Sequence, residues 1–226
     1  MLSPNPEKEK LIQSIMVNMD FNLWRKSYSI LTFDDQKRIY NDWTVRCPDQ
    51  HCYKKELFFS ALNEISASEL EQLRILEFGP YKGYLAFDIL SKYKVKSYIG
   101  YDISGVAISL TPTEVLALGY KGMELSGHIW ESADIPEFDI FISSDTIEHL
   151  VSSEALRLFD WVGKRAKYVM MYIEGKKANE SWAEVTASHI LQLTCDDVVD
   201  IFVKKSYETI THSDKWFFFK KVGDHK

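Results

Sequence analysis

Ile75-Leu-Glu-Phe-Gly-Pro-Tyr-Lys-Gly-Tyr84 is the stretch whose reading decides the fold. An apolar run stops at an acid, Glu77, and two glycines, Gly79 and Gly83, follow before helical spacing of apolar residues sets in over Leu85–Tyr93. A second apolar run ends in another acid, Tyr98-Ile-Gly-Tyr-Asp102. A strand, a glycine turn, a helix and a strand closed by a carboxylate form the unit with which open α/β sheets hold nucleoside-bearing cofactors.

Downstream, strand-like runs recur at Gly122–Ser126, Phe138–Ser143, Tyr168–Ile173, Tyr207–Thr211 and Lys215–Lys220, with helical segments expected between the first five strands. Helix starts are marked by Thr111-Pro-Thr-Glu114, by Ser152 or Ser153, and by Thr194-Cys-Asp-Asp197. Strands alternating with helices predict a mostly parallel sheet covered on both faces. The last two runs are separated only by three residues, His212 and the turn Ser213-Asp214, and so must pair antiparallel. The first 70 residues differ in texture, rich in aromatics and charge, and Leu57, Phe58, Ala61, Leu62 and Ile65 recur at helical spacing. The expectation is an N-terminal helical cap over 1–70 and an α/β domain over 71–226: Rossmann-like, seven-stranded, mostly parallel, with an antiparallel C-terminal hairpin.

The 226 residues suffice for one well-buried domain and a modest extension. A net charge of −6 argues against a general nucleic-acid binder. Three cysteines without a secretory leader, and no apolar run of the roughly 20 residues a bilayer demands, predict a cytoplasmic protein with no membrane partner. A homodimer is left open.

Taken together, these segments resemble a class I S-adenosylmethionine-dependent methyltransferase of the small-molecule branch, over Arg74 to Val222. Ile75–Tyr84 resembles the family's first motif, an acid followed by a glycine-rich loop, and Asp102 its second. Phe138-Asp-Ile-Phe-Ile-Ser-Ser-Asp-Thr-Ile-Glu-His-Leu150 resembles its fourth-strand segment, where Glu-His-Leu is a frequent ending. Trp182 and Ser188-His-Ile190 also resemble that branch. One departure is Tyr81, which stands where the family has its middle glycine, preceded by Pro80. The resemblance implies S-adenosylmethionine as cofactor and a sheet whose seventh strand is inserted antiparallel. Gly79 and Gly83 would let the backbone approach the methionine part, beside Pro80 and Tyr81. Glu77 would reach toward the cofactor's amino group, Asp102 would accept both ribose hydroxyls, Ile103 would lie on the adenine, and His128 or Ile129 would border the ring. Ser143 and Ser144 would turn carbonyls to the ammonium. The bland reading of Glu77 and Asp102 is solvated acids at strand ends.

The partner expected is a small polar acceptor, methylated on oxygen, carbohydrate-linked or a secondary metabolite. Asp145 is the side chain expected to approach it, or else a cap for the turn Thr146–Leu150. His149 and His189 are candidate general bases, with Glu174 a third; His149 is equally readable as a packed structural histidine. In the cap, Trp24, Tyr28, Trp43 and Tyr53 offer flat surfaces and Arg25, Lys26, Arg38 and Arg46 offer anion contacts, although such aromatic stripes are more often core. Cys47-Pro-Asp-Gln-His-Cys52 lacks the second ligand pair of a zinc site, so no metal is expected. Two rivals stand: a methyltransferase fold serving only as a binding scaffold, and a nicotinamide oxidoreductase, which needs a Gly-x-Gly-x-x-Gly turn that Gly79-Pro-Tyr-Lys-Gly83 does not supply.

Overall fold

The apolar runs become seven strands: β1 (Arg74–Phe78), β2 (Ser97–Asp102), β3 (Tyr120–Glu124), β4 (Ile140–Ser144), β5 (Tyr168–Tyr172), β6 (Tyr207–His212) and β7 (Trp216–Lys221). The computed structural model describes residues 5–18, 20–46, 54–127, 135–174, 191–213 and 215–223. The strands form one sheet in the order β3-β2-β1-β4-β5-β7-β6. All neighbours are parallel except those of β7, which runs antiparallel between β5 and β6. The chain leaves β1 toward β2 on one side and returns to β4 on the other. The carboxyl ends of β1 and β4 therefore flank the switch point where open sheets bind ligands.

Burial on both faces explains the nearly unbroken apolar runs. On one face, Ile75, Tyr98, Ile140, Met170 and Phe218 pack with Phe58 and Leu62 of α4 (Lys55–Asn63), and with Leu85 and Ile89 of α6 (Tyr84–Lys92). On the other, Leu76, Phe141, Val169, Phe217 and Phe219 pack with Leu158 and Phe159 of α9 (Ser152–Arg165) and with Val198 and Phe202 of α10 (Cys195–Val203). α10 starts at the capping box read from Thr194: the Asp197 amide donates to Thr194 Oγ1 (3.2 Å) and the Thr194 amide to Asp197 Oδ2 (2.8 Å).

The first helices, α1 (Pro6–Asn18), α2 (Phe21–Ser27) and α3 (Phe33–Arg46), share a separate cluster of Ile12, Ile15, Trp24, Tyr28, Leu31, Ile39 and Trp43. α4 and the short α5 (Ala67–Leu70) instead contribute to the sheet's own core, through Phe58, Leu62 and Leu70.

Three sequence expectations are corrected. The third strand begins at Tyr120, not Gly122, because Gly119 takes φ +90° and releases the chain directly from α8 (Thr113–Ala117) into the sheet. Thr111 caps nothing: its amide closes the end of α7 (Gly105–Ser109) on the Ile108 carbonyl (3.1 Å), and Pro112 precedes α8. Neither Ser152 nor Ser153 caps α9, which Val151 precedes; Ser152 Oγ instead accepts from the Gln192 amide (3.0 Å). Between β3 and β4 the described residues carry no helix.

Phe219 stacks on Phe202 at 4.7 Å between ring centroids and joins β7 to α10. Phe219→Ala is expected to lower the unfolding free energy by about 3–5 kcal/mol, measured by urea titration. A loss below roughly 1 kcal/mol would mean that the hairpin lies outside the cooperative core.

Candidate functional site

Glu77, Gly79, Pro80, Tyr81, Gly83 and Asp102 come together at the carboxyl ends of β1 and β2, as expected from the sequence. Between Phe78 and α6 the backbone enters the left-handed region at three alternate residues, Gly79 (φ +75°), Tyr81 (φ +52°) and Gly83 (φ +79°). Tyr81 thus adopts the turn that a glycine would adopt freely, at a steric cost of about 1–2 kcal/mol for a side chain with a Cβ. The turn aims the Tyr81 amide at Asp102 Oδ2 (2.9 Å), while Asp102 Oδ1 accepts from the Ser104 amide (2.8 Å). Both carboxylate oxygens therefore already hold one backbone donor each.

Asp102 is buried, and burial pushes its carboxyl up to about 6 against the pull of those two amides. Glu77 is also buried, and its Oε2 accepts from Tyr98 OH (2.9 Å). Burial first, and the Asp102 charge after it, raise Glu77 to about 8. These are not solvated acids at strand ends: the bland reading fails on burial.

The chain's own packing also requires these glycines. A Cβ on Gly79 would fall inside the side chain of Thr146, and one on Gly83 would press on Tyr120 (3.2 Å) and Val115 (3.4 Å). Gly79 is small so that the loop after β4 can close on the loop after β1. Thr146 Oγ1 donates there, to the carbonyl of Gly79 (3.3 Å) or of Ser144 (3.0 Å). Gly100 adds a third case, with Pro80 Cγ 2.7 Å from where its Cβ would stand. An isolated glycine in a strand signals such close approach.

β4 brings Ser143 and Ser144 to the same crevice. Ser143 Oγ donates to the Phe78 carbonyl (3.1 Å), and Ser144 Oγ to Asp145 Oδ2 (3.0 Å). Asp145 stands at φ +52° and pairs with Lys54, whose ammonium lies 3.7 Å from the Tyr172 ring centroid. The cap reading of Asp145 is overturned, because Thr146 precedes the 3₁₀ turn Ile147–His149 and no side chain caps it. His149 sits edge-on to Trp24 and Tyr40, each 6.3 Å between centroids. Glu174 pairs with Lys215. Ile103 packs partly buried against the sheet core. Tyr53, His128, Ile129, Trp182, Ser188, His189 and the Cys47–Cys52 segment lie outside the described residues.

The cap reaches this crevice through α3. Ser104 Oγ donates to Asn41 Oδ1 (2.8 Å) and lies 3.2 Å from Thr44 Oγ1, and Tyr28 OH donates to Glu154 Oε2 (2.8 Å). Trp24, Tyr28 and Trp43 are core of the cap rather than flat ligand surfaces. Arg38 is committed to Glu9, and Arg46 to Asp42 and to the carbonyls of Met16 and Val17. Glu148 enters the sequence reading only as part of Glu-His-Leu; it is 1% exposed, and neither carboxylate oxygen has a hydrogen-bond partner among the described residues. Among the described residues no cluster of His, Cys, Asp or Glu could hold a metal ion, and no helix is long and apolar enough to cross a membrane.

No family model and no curated protein matches the sequence. Solved structures do. Magnesium protoporphyrin IX methyltransferase (ChlM) from Synechocystis PCC 6803, with bound SAH, aligns at TM-score 0.58 and 13% identity, over 95% of this chain and 100% of that one. The chain has the class I methyltransferase fold. A putative sarcosine dimethylglycine methyltransferase from Galdieria sulphuraria aligns at TM-score 0.56 and 15% identity, over 70% of this chain and 61% of that one. The [4+2]-cyclase SpnF aligns at 0.52 and 13%, over 70% and 58%. The methyltransferase fold thus also carries a protein named for a cyclisation, and activity has to be argued from the site.

The buried acids set a pH dependence. Glu77, raised from 4.5 to about 8, keeps in the folded state a proton that the unfolded chain has lost. Glu148 is raised in the same way, also to about 8. Unfolding releases these protons, so stability falls as pH rises through that window. The melting temperature of the ligand-free protein is expected to drop between about pH 6 and about pH 8, and Glu77→Gln to flatten part of the drop. An identical slope in wild type and variant would show that Glu77 is ionised throughout.

Proposed function

We propose that this chain binds S-adenosylmethionine and transfers its methyl group to an oxygen of a small polar acceptor, carbohydrate-linked or a secondary metabolite. One observation carries the reading: two buried carboxyl groups, Glu77 and Asp102, lie at the ends of adjacent parallel strands beside a loop of left-handed turns, at the switch point of a methyltransferase fold. The residues fit the cofactor. Each Asp102 oxygen holds one amide and keeps a further lone pair for a ribose hydroxyl. The loop Gly79-Pro80-Tyr81 would run along the amino-acid part, with Glu77 beneath it and the carbonyls of Ser143 and Ser144 beside it.

When bound, the cofactor supplies an electrophilic methyl group on a good leaving group. The protein's share is alignment, exclusion of water and handling of one proton. α3 covers the crevice and keeps water from it. His149, beside Tyr40, is the imidazole proposed to take the acceptor's hydroxyl proton, with His189 the alternative and Asp145 holding the acceptor from the β4 side.

A binding scaffold without turnover is the second reading. The specific observation in its favour is that Asp102 is already saturated once by the chain's own amides and lies under α3. Titration calorimetry with S-adenosylhomocysteine separates the two at their root, with one binding site expected. Asp102→Ala is expected to weaken that binding by about 1–3 kcal/mol, the loss typical of a charged hydrogen-bonding partner. No heat with the wild type would falsify the cofactor reading; an unchanged affinity in the variant would remove Asp102 from the ribose.

A further inference from the structure

We propose that Glu148 reads positive charge at the point of methyl transfer, so that the crevice holds a sulfonium or ammonium ligand in preference to the neutral thioether left after transfer. The proposal rests on the cofactor reading above and assigns a residue that reading does not use.

A carboxylate offers about four lone-pair sites. When it is buried, native proteins nearly always fill at least one of them. Among the described residues Glu148 finds no partner for any of them, although it is 1% exposed. Its backbone is fixed: the turn Ile147–His149 follows β4 directly, and the Glu148 carbonyl accepts from the Leu191 amide (3.1 Å). The side chain is therefore held without a donor, and does not hang loose where it could find one.

Among the described residues, the groups around it come from its own loop, the end of β5, the start of α4 and α3. Asp145 and His149 share its loop, Tyr172 and Glu174 belong to the end of β5, Lys54 precedes α4, and Tyr40 reaches over from α3. Asp145 opposes a charge on Glu148 and Lys54 favours one, while the amides of Glu148 itself and of Glu174 help without completing a hydrogen bond. Lys54 is not Glu148's counter-ion, because its ammonium is taken by Asp145 and rests over Tyr172. Glu174 is likewise paired, with Lys215. The buried Tyr40 hydroxyl feels Asp102, Glu148 and Glu154 together, so these three carboxyl groups lie within electrostatic reach of one point between the end of β2 and the β4 loop. Among the described residues, the cation nearest that space is already consumed. A positive ligand there meets an uncompensated field in a poorly screened site, where charge interactions are strong.

Burial, with Asp145 beside it, pushes the Glu148 carboxyl up to about 8. A cation that lowers it by one unit binds about tenfold more tightly once the pH exceeds that value, and gains less below it, where a proton must first leave. Glu77 and Asp102 titrate as well, but they would meet the parts that the charged and uncharged ligands have in common. Their contribution therefore cancels in the ratio of affinities.

Calorimetry on the full chain tests this with three probes: S-adenosylmethionine, its amine analogue sinefungin and S-adenosylhomocysteine. Both charged probes are expected to bind more tightly than the thioether, with the preference growing about tenfold between about pH 6 and about pH 9. Glu148→Gln, which keeps the shape and loses the titration, is expected to leave a preference that no longer changes with pH. A flat ratio in the wild type overturns the inference, whatever the variant's stability. A slope that survives in Glu148→Gln overturns it too, while leaving the cofactor reading intact. Failure of all three probes to bind removes both.

Discussion

The Asp102 carboxylate accepts two backbone amides, one from Tyr81 and one from Ser104. From the first bond follows the shape of the loop after β1, whose middle residue is held left-handed with its amide turned inward. From the second follows the start of α7, where Ser104 Oγ accepts from the Ala107 amide (3.0 Å) and meets Asn41 and Thr44 of the cap. One buried acid thus connects the first loop, the end of the second strand and the N-terminal helices. A ligand that binds at Asp102 acts on all three.

The same crevice concentrates carboxyl groups for which no ion pair is formed among the described residues. Glu77, Asp102 and Glu148 are buried at the ends of β1, β2 and β4, and all three are raised toward their protonated forms. Away from the crevice some acids are paired with cations: Asp139 takes Arg74 through two side-chain contacts of 2.9 and 3.0 Å, and Glu69 takes Lys167 at 2.7 Å. Stability alone would favour the paired arrangement in both places. Buried unpaired carboxyls cluster at functional sites for the reason that they cost stability and are retained where a ligand supplies the missing charge.

The sequence was legible where local chemistry and sheet geometry agree. The first two strands follow from the apolar runs that lead to Glu77 and Asp102, the hairpin from a short turn between apolar runs, and the Thr194 capping box stands where the sequence places it. It was less legible where a side chain prefers a distant partner over its local one. Ser152 looked like a cap but serves the Gln192 amide, and Thr111 closes the helix before it rather than opening the next. The loop glycines are legible as sites of close approach, but nothing near residue 79 announces that Thr146 stands beside it. Glu148 sat in plain view within Glu-His-Leu, but its isolation is a property of the folded core and has no signature in the chain. Tyr81 looked like a defect, yet it takes the φ that a glycine would take.

The antiparallel insertion of β7 between β5 and β6 carries a consequence for how the molecule is made. During synthesis, β1 to β5 leave the ribosome with a complete parallel order among themselves, while β6 has no edge to join. Only when Trp216–Lys221 emerges can the sheet close, with four consecutive aromatic residues dividing between two waiting cores. Until then the flank of β5 is an open, apolar edge of the kind that invites association with other chains. In the folded chain β7 covers that flank, pairing with β5 from Tyr168 opposite Lys220 to Tyr172 opposite Trp216.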